Sequence, residues 1–190
     1  MIVVKNLSKS FGTHPVLENL SFSVSPGERV LISAPSGGGK TTLLRILCGL
    51  ESADSGTVQG ILPGSVAYQF QEPRLFPQLT ALENITCIHP DPESARQTAL
   101  LWLEKLGLAE AAHQYPHELS GGMKQRVALA RALSADRPIL FLDEPFTALD
   151  PELKDAVRNT VLAACEGKTL FLVSHDPKDG ELLTERTISL

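Results

Sequence analysis

The segment Ala34-Pro35-Ser36-Gly37-Gly38-Gly39-Lys40-Thr41-Thr42 constrains the fold more than any other part of the chain. It follows Arg29 to Ser33, an apolar run that reads as a strand. It leads into a helix expected from about Lys40 to Leu47, with Gly49 as its stop. Consecutive glycines let backbone N–H groups close around an anion, and the helix start adds the positive end of its dipole. Strand, glycine-rich turn and a helix opening on Lys-Thr are the parts of a phosphate-binding P-loop. In that setting Lys40 reaches β- and γ-phosphates and the Thr41 hydroxyl ligates Mg²⁺. The competing reading is a glycine-rich turn before an ordinary helix with a surface lysine. The pattern GxxxxGK[ST] is also broken, since Ala34 stands where its first glycine belongs. If that position requires a positive φ, alanine there costs about 1 kcal/mol.

Around this loop, strand-like and helix-like segments alternate, which points to an α/β sheet. Val66 to Phe70 is a further strand candidate. Ile139 to Asp143 and Thr169 to Ser174 are near-continuous apolar runs, the pattern of parallel strands covered on both faces. Asp150 as N-cap and Pro151 as first helical residue introduce a stripe of Leu153, Ala156, Val157, Thr160, Val161 and Ala164. Ala95, Ala99, Trp102, Leu103 and Leu106 form a similar stripe closed by Gly107. Residues 72–131 read as a helical insertion, and the first thirty residues alternate like an antiparallel sheet. The expected organisation is one domain over 1–190. Residues 1–71 and 132–190 form its core, and 72–131 a helical part.

Three further groups carry chemistry. Asp143 and Glu144 end a buried strand, where ligands bind in open α/β sheets. Asp143 suits an Mg²⁺ partner and Glu144 suits polarising a water, although Asp-Glu-Pro also ends strands for conformational reasons. His175 ends the next strand and either hydrogen-bonds a γ-phosphate or is a half-exposed loop histidine. Ser120 is a good N-cap for a helix whose first turn holds Gly121 and Gly122. Tandem glycines weaken a helix, so they read as a second anion-binding element and two half-sites that meet across a dimer.

Composition sets the outer limits. The formal charge is −5, aromatics are 5%, and no basic tail is present. These values argue against a nucleic-acid binder. No apolar run reaches membrane-spanning length, and the first residues lack the pattern of a signal peptide. Cys48, Cys87 and Cys165 have no metal-binding spacing and read as buried free thiols of a cytosolic protein.

Taken together, these motifs resemble the ATP-binding subunits of ABC transporters, in the order found in that family. They are the loop at 34–42, Gln71 in Tyr68-Gln69-Phe70-Gln71-Glu72-Pro73, Leu119-Ser120-Gly121-Gly122, Asp143-Glu144, Ala148-Leu149-Asp150 and His175. The resemblance covers essentially the whole chain. It implies a P-loop NTPase (RecA-like) core of mainly parallel sheet, with an N-terminal antiparallel part and a helical insertion bearing Ser120. It implies ATP and Mg²⁺ as cofactors and a head-to-tail dimer that sandwiches ATP. It also implies permease subunits in the membrane, a solute-binding protein reached indirectly, and a peripheral place on the inner face of the cell membrane.

Residue by residue, Ala34, Pro35, Ser36, Gly37, Gly38, Gly39, Lys40, Thr41 and Thr42 would bind ATP. Thr41, Gln71 and Asp143 would hold Mg²⁺. Glu144 would be the base, with His175 and Gln71 beside it. Ser120, Gly121 and Gly122 would meet the partner's nucleotide, and Asp150 would line the interface. Phe11 would stack on adenine, or else pack in the core. Gln71 to Pro77 and Gly121 to Arg126 most resemble the nitrate, sulfonate and taurine importer branch.

The chain departs from the family at Ala34 and in short spacings from Lys40 to Gln71 and from Gln71 to Ser120. Little follows His175, so no regulatory domain is expected behind the core. Two other readings stay open: a non-transport ABC ATPase acting on nucleic acid or ribosomes, and a degenerate cassette with weak ATP binding.

Overall fold

The computed structural model describes residues 1–190. Strands β6 (Ile139–Asp143) and β7 (Thr169–Val173) are buried at every position, as their near-continuous apolar sequences predict. They lie at the centre of a five-stranded sheet with β3 (Arg29–Ser33), β5 (Val66–Gln69) and β8 (Arg186–Ser189). The order is β5-β6-β7-β3-β8, and every pairing is parallel.

Alternate side chains of the central strands feed two different cores, because successive residues of a strand point to opposite faces. Leu140, Leu142, Leu170 and Leu172 pack under the helices that carry Leu103, Val127 and Val161. Ile139, Phe141, Phe171 and Val173 pack against Leu43 and Leu44 and against Val4, Leu7 and Val24. Those last three residues belong to a second sheet, order β2-β1-β4, formed by β1 (Ile2–Phe11), β2 (His14–Val24) and β4 (Ser55–Gln59). Both its pairings are antiparallel, as the alternation over the first thirty residues predicts.

Helix α1 (Lys40–Leu47) follows β3 across the glycine loop and ends before Gly49. Helices α2 (Ala81–Thr86), α3 (Pro92–Lys105) and α4 (Gly121–Ser134) lie between β5 and β6 in sequence, with no strand among them. A capping box between Thr80 and Glu83 starts α2, and the Asp91 side chain caps α3. Four residues of the expected α3 stripe, Ala95, Ala99, Leu103 and Leu106, are buried, and the fifth, Trp102, is partly buried against the same core.

Two helices complete the chain, α5 (Pro151–Ala164) and α6 (Pro177–Leu183). The periodicity of α5 misplaces part of its buried face. Ala156 is exposed, and the buried residues are Val157, Arg158, Val161 and, just beyond the helix, Cys165. A charged residue enters that face because carboxylates of the following segment neutralise it, a tertiary effect that no local pattern carries. The cysteines also differ from expectation. All three are free, but only Cys165 is buried, while Cys48 is intermediate and Cys87 exposed. No helix is long and apolar enough to cross a membrane.

Candidate functional site

Four neighbouring parallel strands, β5, β6, β7 and β3, deliver their C-terminal ends to one edge of the sheet. Each is followed there by a candidate residue: Gln71 after β5, Glu144 after β6, His175 after β7, and the glycine loop after β3. One open cleft is lined by residues 36–42, Gln71, Asp143, Glu144, Val173 and His175.

The loop has little freedom. Gly39 caps α1 in the left-handed region, at φ 85°. A Cβ there would also lie 2.8 Å from the Val16 carbonyl oxygen and from Leu17 Cδ2. Ala34 is not among the residues at positive φ, so the strain anticipated for alanine at this position is absent. Its methyl instead fills the space beside Gly38, where an added Cβ would sit 2.8 Å away. Ala34 and Pro35 do not line the cleft. Their carbonyl oxygens accept hydrogen bonds from Lys40 Nζ at 2.9 and 3.2 Å, which aligns the ammonium along the loop.

Asp143 Oδ2 accepts from the Thr41 hydroxyl at 2.8 Å and from the Tyr68 hydroxyl at 3.3 Å. Burial pushes the Asp143 carboxyl above its ordinary range, and the two hydroxyls oppose that shift. In the sequence Tyr68 reads only as a strand aromatic, with no local sign of this contact.

Glu144 adopts a positive φ of 51°, a strained geometry for a non-glycine residue and one that recurs at functional sites. Burial raises its carboxyl above the usual range, while His175 and Thr147 pull the other way. The Thr147 hydroxyl donates to Glu144 Oε2 at 3.2 Å. Oε1 lies 3.2 Å from His175 Nε2, yet it is buried with no donor in hydrogen-bonding geometry. A desolvated carboxylate oxygen beside an imidazole is suited to accept a proton from a water in the cleft. Gln125, on α4, likewise carries no local sign of its role here. Its amide donates to the backbone oxygens of Glu144 at 3.3 Å and of Gln71 at 3.5 Å.

The remaining candidates lie outside the cleft. Ser120 caps α4, accepting from the Met123 N–H at 3.2 Å. Gly122 packs against the chain itself, since a Cβ there would lie 2.5 Å from the Ala148 carbonyl oxygen. One of the tandem glycines therefore has an internal reason to exist, separate from any anion. Asp150 caps α5 by position, and its side chain makes no capping bond. Phe11 is half exposed at the end of β1, with Lys9 Nζ 5.1 Å from its ring centroid. Core packing of Phe11 is thus overturned, since about half of the residue stays exposed.

The donor set fits a hard divalent cation held partly by phosphate oxygens. Thr41, Asp143 and Gln71 line one cleft, and no group of three or more His, Cys, Asp or Glu side chains gathers to hold an ion alone.

Comparison with known proteins gives the family of the chain. The sequence model of the ABC transporter family matches residues 17–147. The glutamine transport ATP-binding protein GlnQ of Escherichia coli (strain K12) is 41% identical over 99% of this chain and 86% of its own length. The aliphatic sulfonates import ATP-binding protein SsuB 1 of Pseudomonas syringae pv. syringae (strain B728a) is 43% identical over 95% of this chain and 76% of its own. Among solved structures, the ATP-binding cassette MJ0796, dimeric in a post-hydrolysis state bound to ADP and Pi, superposes with a TM-score of 0.91. It is 32% identical and covers 100% of this chain and 94% of its own. With a family match over residues 17–147 and relatives aligned over nearly its whole length, the chain belongs to the ABC transporter family.

Proposed function

We propose that this chain binds and hydrolyses ATP to power solute import through a separate permease. The observation that carries the reading is the Glu144 carboxylate, buried and undonated at Oε1, in the same cleft as Lys40 and the glycine loop. Lys40 and the N–H groups of residues 36–42 bind the phosphates. Glu144 takes the proton of the attacking water, and His175 holds the γ-phosphate beside it. Thr41, Asp143 and Gln71 would hold Mg²⁺, which neutralises charge building on the phosphates.

Ser120, Gly121, Gly122 and Asp150 lie outside the cleft, so a second copy completes the site by presenting them to the nucleotide. MJ0796, the dimeric relative, supports that arrangement. The half-exposed Phe11 is the candidate to stack on adenine. Partners follow from the relatives' names, which describe import and transport ATP-binding proteins. The chain would dock on permease subunits at the inner face of the cell membrane and act with a solute-binding protein only through them. The sulfonate relative keeps an organic anion among the candidate solutes, beside amino acids.

A purified sample given MgATP tests the reading. Phosphate release by the wild type, with loss of nucleotide binding in Lys40→Ala, is the expected result. Unchanged nucleotide affinity in Lys40→Ala would overturn the assignment of the loop.

A further inference from the structure

Arg158 is the one arginine of the chain whose side chain is almost wholly buried, and nothing in the proposed chemistry uses it. Its guanidinium spreads over three carboxylates. Nε donates to Asp179 Oδ1 at 2.6 Å, one terminal nitrogen to Asp155 at 2.7 Å, and the other to Asp176 at 2.5 Å. Asp179 is itself buried. Its other carboxylate oxygen accepts from the Ser174 hydroxyl. Ser174 Oγ in turn accepts from the Asp176 N–H at 3.1 Å. Lys154 adds a second cation to Asp176, at 3.0 Å.

The residue between Ser174 and Asp176 is His175. Its side chain is 62% exposed, so packing does little to fix the imidazole. What fixes it is the backbone of residues 174–176, and that backbone is tied on both sides to the carboxylates around Arg158. The same guanidinium lies 6.0 Å from the Phe146 ring centroid, two residues beyond Glu144. Arg158 therefore touches both segments whose ends carry the 3.2 Å Glu144–His175 pair.

We propose that Arg158 is a positioning residue, which sets the placement of His175 against Glu144 through Ser174, Asp176 and Asp179. A buried arginine with several partners is weak evidence of stability gained, since its desolvation offsets much of the attraction. A role in fixing geometry is the use that this network suits. The network also joins α5, whose N-cap position is Asp150, to the histidine. A shift of α5 on pairing with a second copy would thus reach the imidazole directly. The inference rests on the proposed hydrolytic role of His175 and Glu144.

The test compares full-length wild type with Ser174→Ala, Arg158→Lys and Arg158→Met. Ser174→Ala removes the hydroxyl link without burying an unpaired charge, so it remains informative if Arg158→Met does not fold. Each folded variant is measured for kcat and KM for ATP, and the His175 ring nitrogens are followed by NMR. Misplaced catalytic groups cost rate far more than binding, so kcat should fall about tenfold or more with KM within about twofold. The His175 resonances should shift or broaden, and Arg158→Lys should recover part of the rate lost in Arg158→Met. Wild-type kcat and unchanged His175 resonances in folded Ser174→Ala would overturn the proposal. If the wild type itself failed to hydrolyse ATP, the hydrolytic reading would fall. The NMR comparison would still decide whether the network positions His175.

Discussion

His175 Nε2 lies 3.2 Å from Glu144 Oε1, although the two residues leave the sheet on different strands. The approach starts in the backbone, where the Glu144 N–H donates to the Val173 carbonyl at 2.9 Å and ties the end of β6 to the end of β7. Glu144 then turns through a positive φ, which brings its carboxylate to the cleft side. The pair is thus a product of parallel pairing in register, Asp143 opposite Val173.

The loop geometry predicts opposite outcomes for two substitutions. Ala34→Gly should leave ATP affinity within about twofold and lower stability by about 0.4–1 kcal/mol, because the added freedom belongs mainly to the unfolded chain. Gly39→Ala should abolish nucleotide binding, since Cβ would meet Val16 and Leu17 at 2.8 Å in a left-handed backbone. Calorimetric titration with ATP and thermal melting check both. A large gain in affinity for Ala34→Gly would instead mark the wild-type loop as degenerate.

Gly122→Ala should destabilise the chain by about 1–3 kcal/mol, the range for forcing atoms into a packed site. The clashing atom is the Ala148 carbonyl oxygen, at 2.5 Å, and a backbone oxygen cannot rotate away. Thermal melting without nucleotide reads this directly. Gly121→Ala meets nothing within 4 Å and should melt like the wild type.

Much of the site was legible because its residues stand at strand ends and in contiguous motifs. Lys40, Thr41, Asp143, Glu144 and His175 follow apolar runs that could only be buried strands, and parallel pairing gathers their ends. Arg158, Tyr68, Gln125 and Thr147 were not legible. Each looks ordinary in its own element, and its importance comes from a partner 3 to 75 positions away. The α5 face illustrates the same limit. Ala156 fits the helical period and is exposed, while Arg158 breaks the period and is buried. Phe11 had two readings at the level of sequence, and only its exposure in the fold removes one of them.

Acid stability should follow the ion pairs around Asp176. The hydrogen bond from Lys154 holds the Asp176 carboxyl at about 2, against an ordinary 3.8, with the Lys178 N–H and Arg158 contributing in the same direction. Asp179, also facing Arg158, shares that cation. The folded value lies below the unfolded one. The pair therefore stabilises fully above pH 3.8 and is lost as pH falls toward 2. Lys154→Met should cost up to about 1 kcal/mol at neutral pH, as for partly exposed pairs. The gap between variant and wild type should close as the pH drops through that window. Melting temperatures from pH 7 to pH 2 give the comparison, and a gap of constant size would show that Lys154 acts by packing alone.

Glu144→Gln separates binding from chemistry and tests the account at its centre. The substitution keeps the shape of the side chain and removes its ability to accept the proton of water. Measured together on the purified variant, steady-state phosphate release should fall at least about a hundredfold, the scale of general-base catalysis. ATP affinity should hold, and light scattering should show ATP drawing two copies into a stable dimer. Phosphate release at the wild-type rate would contradict the assignment of Glu144 as the base, and with it the central claim about this cleft.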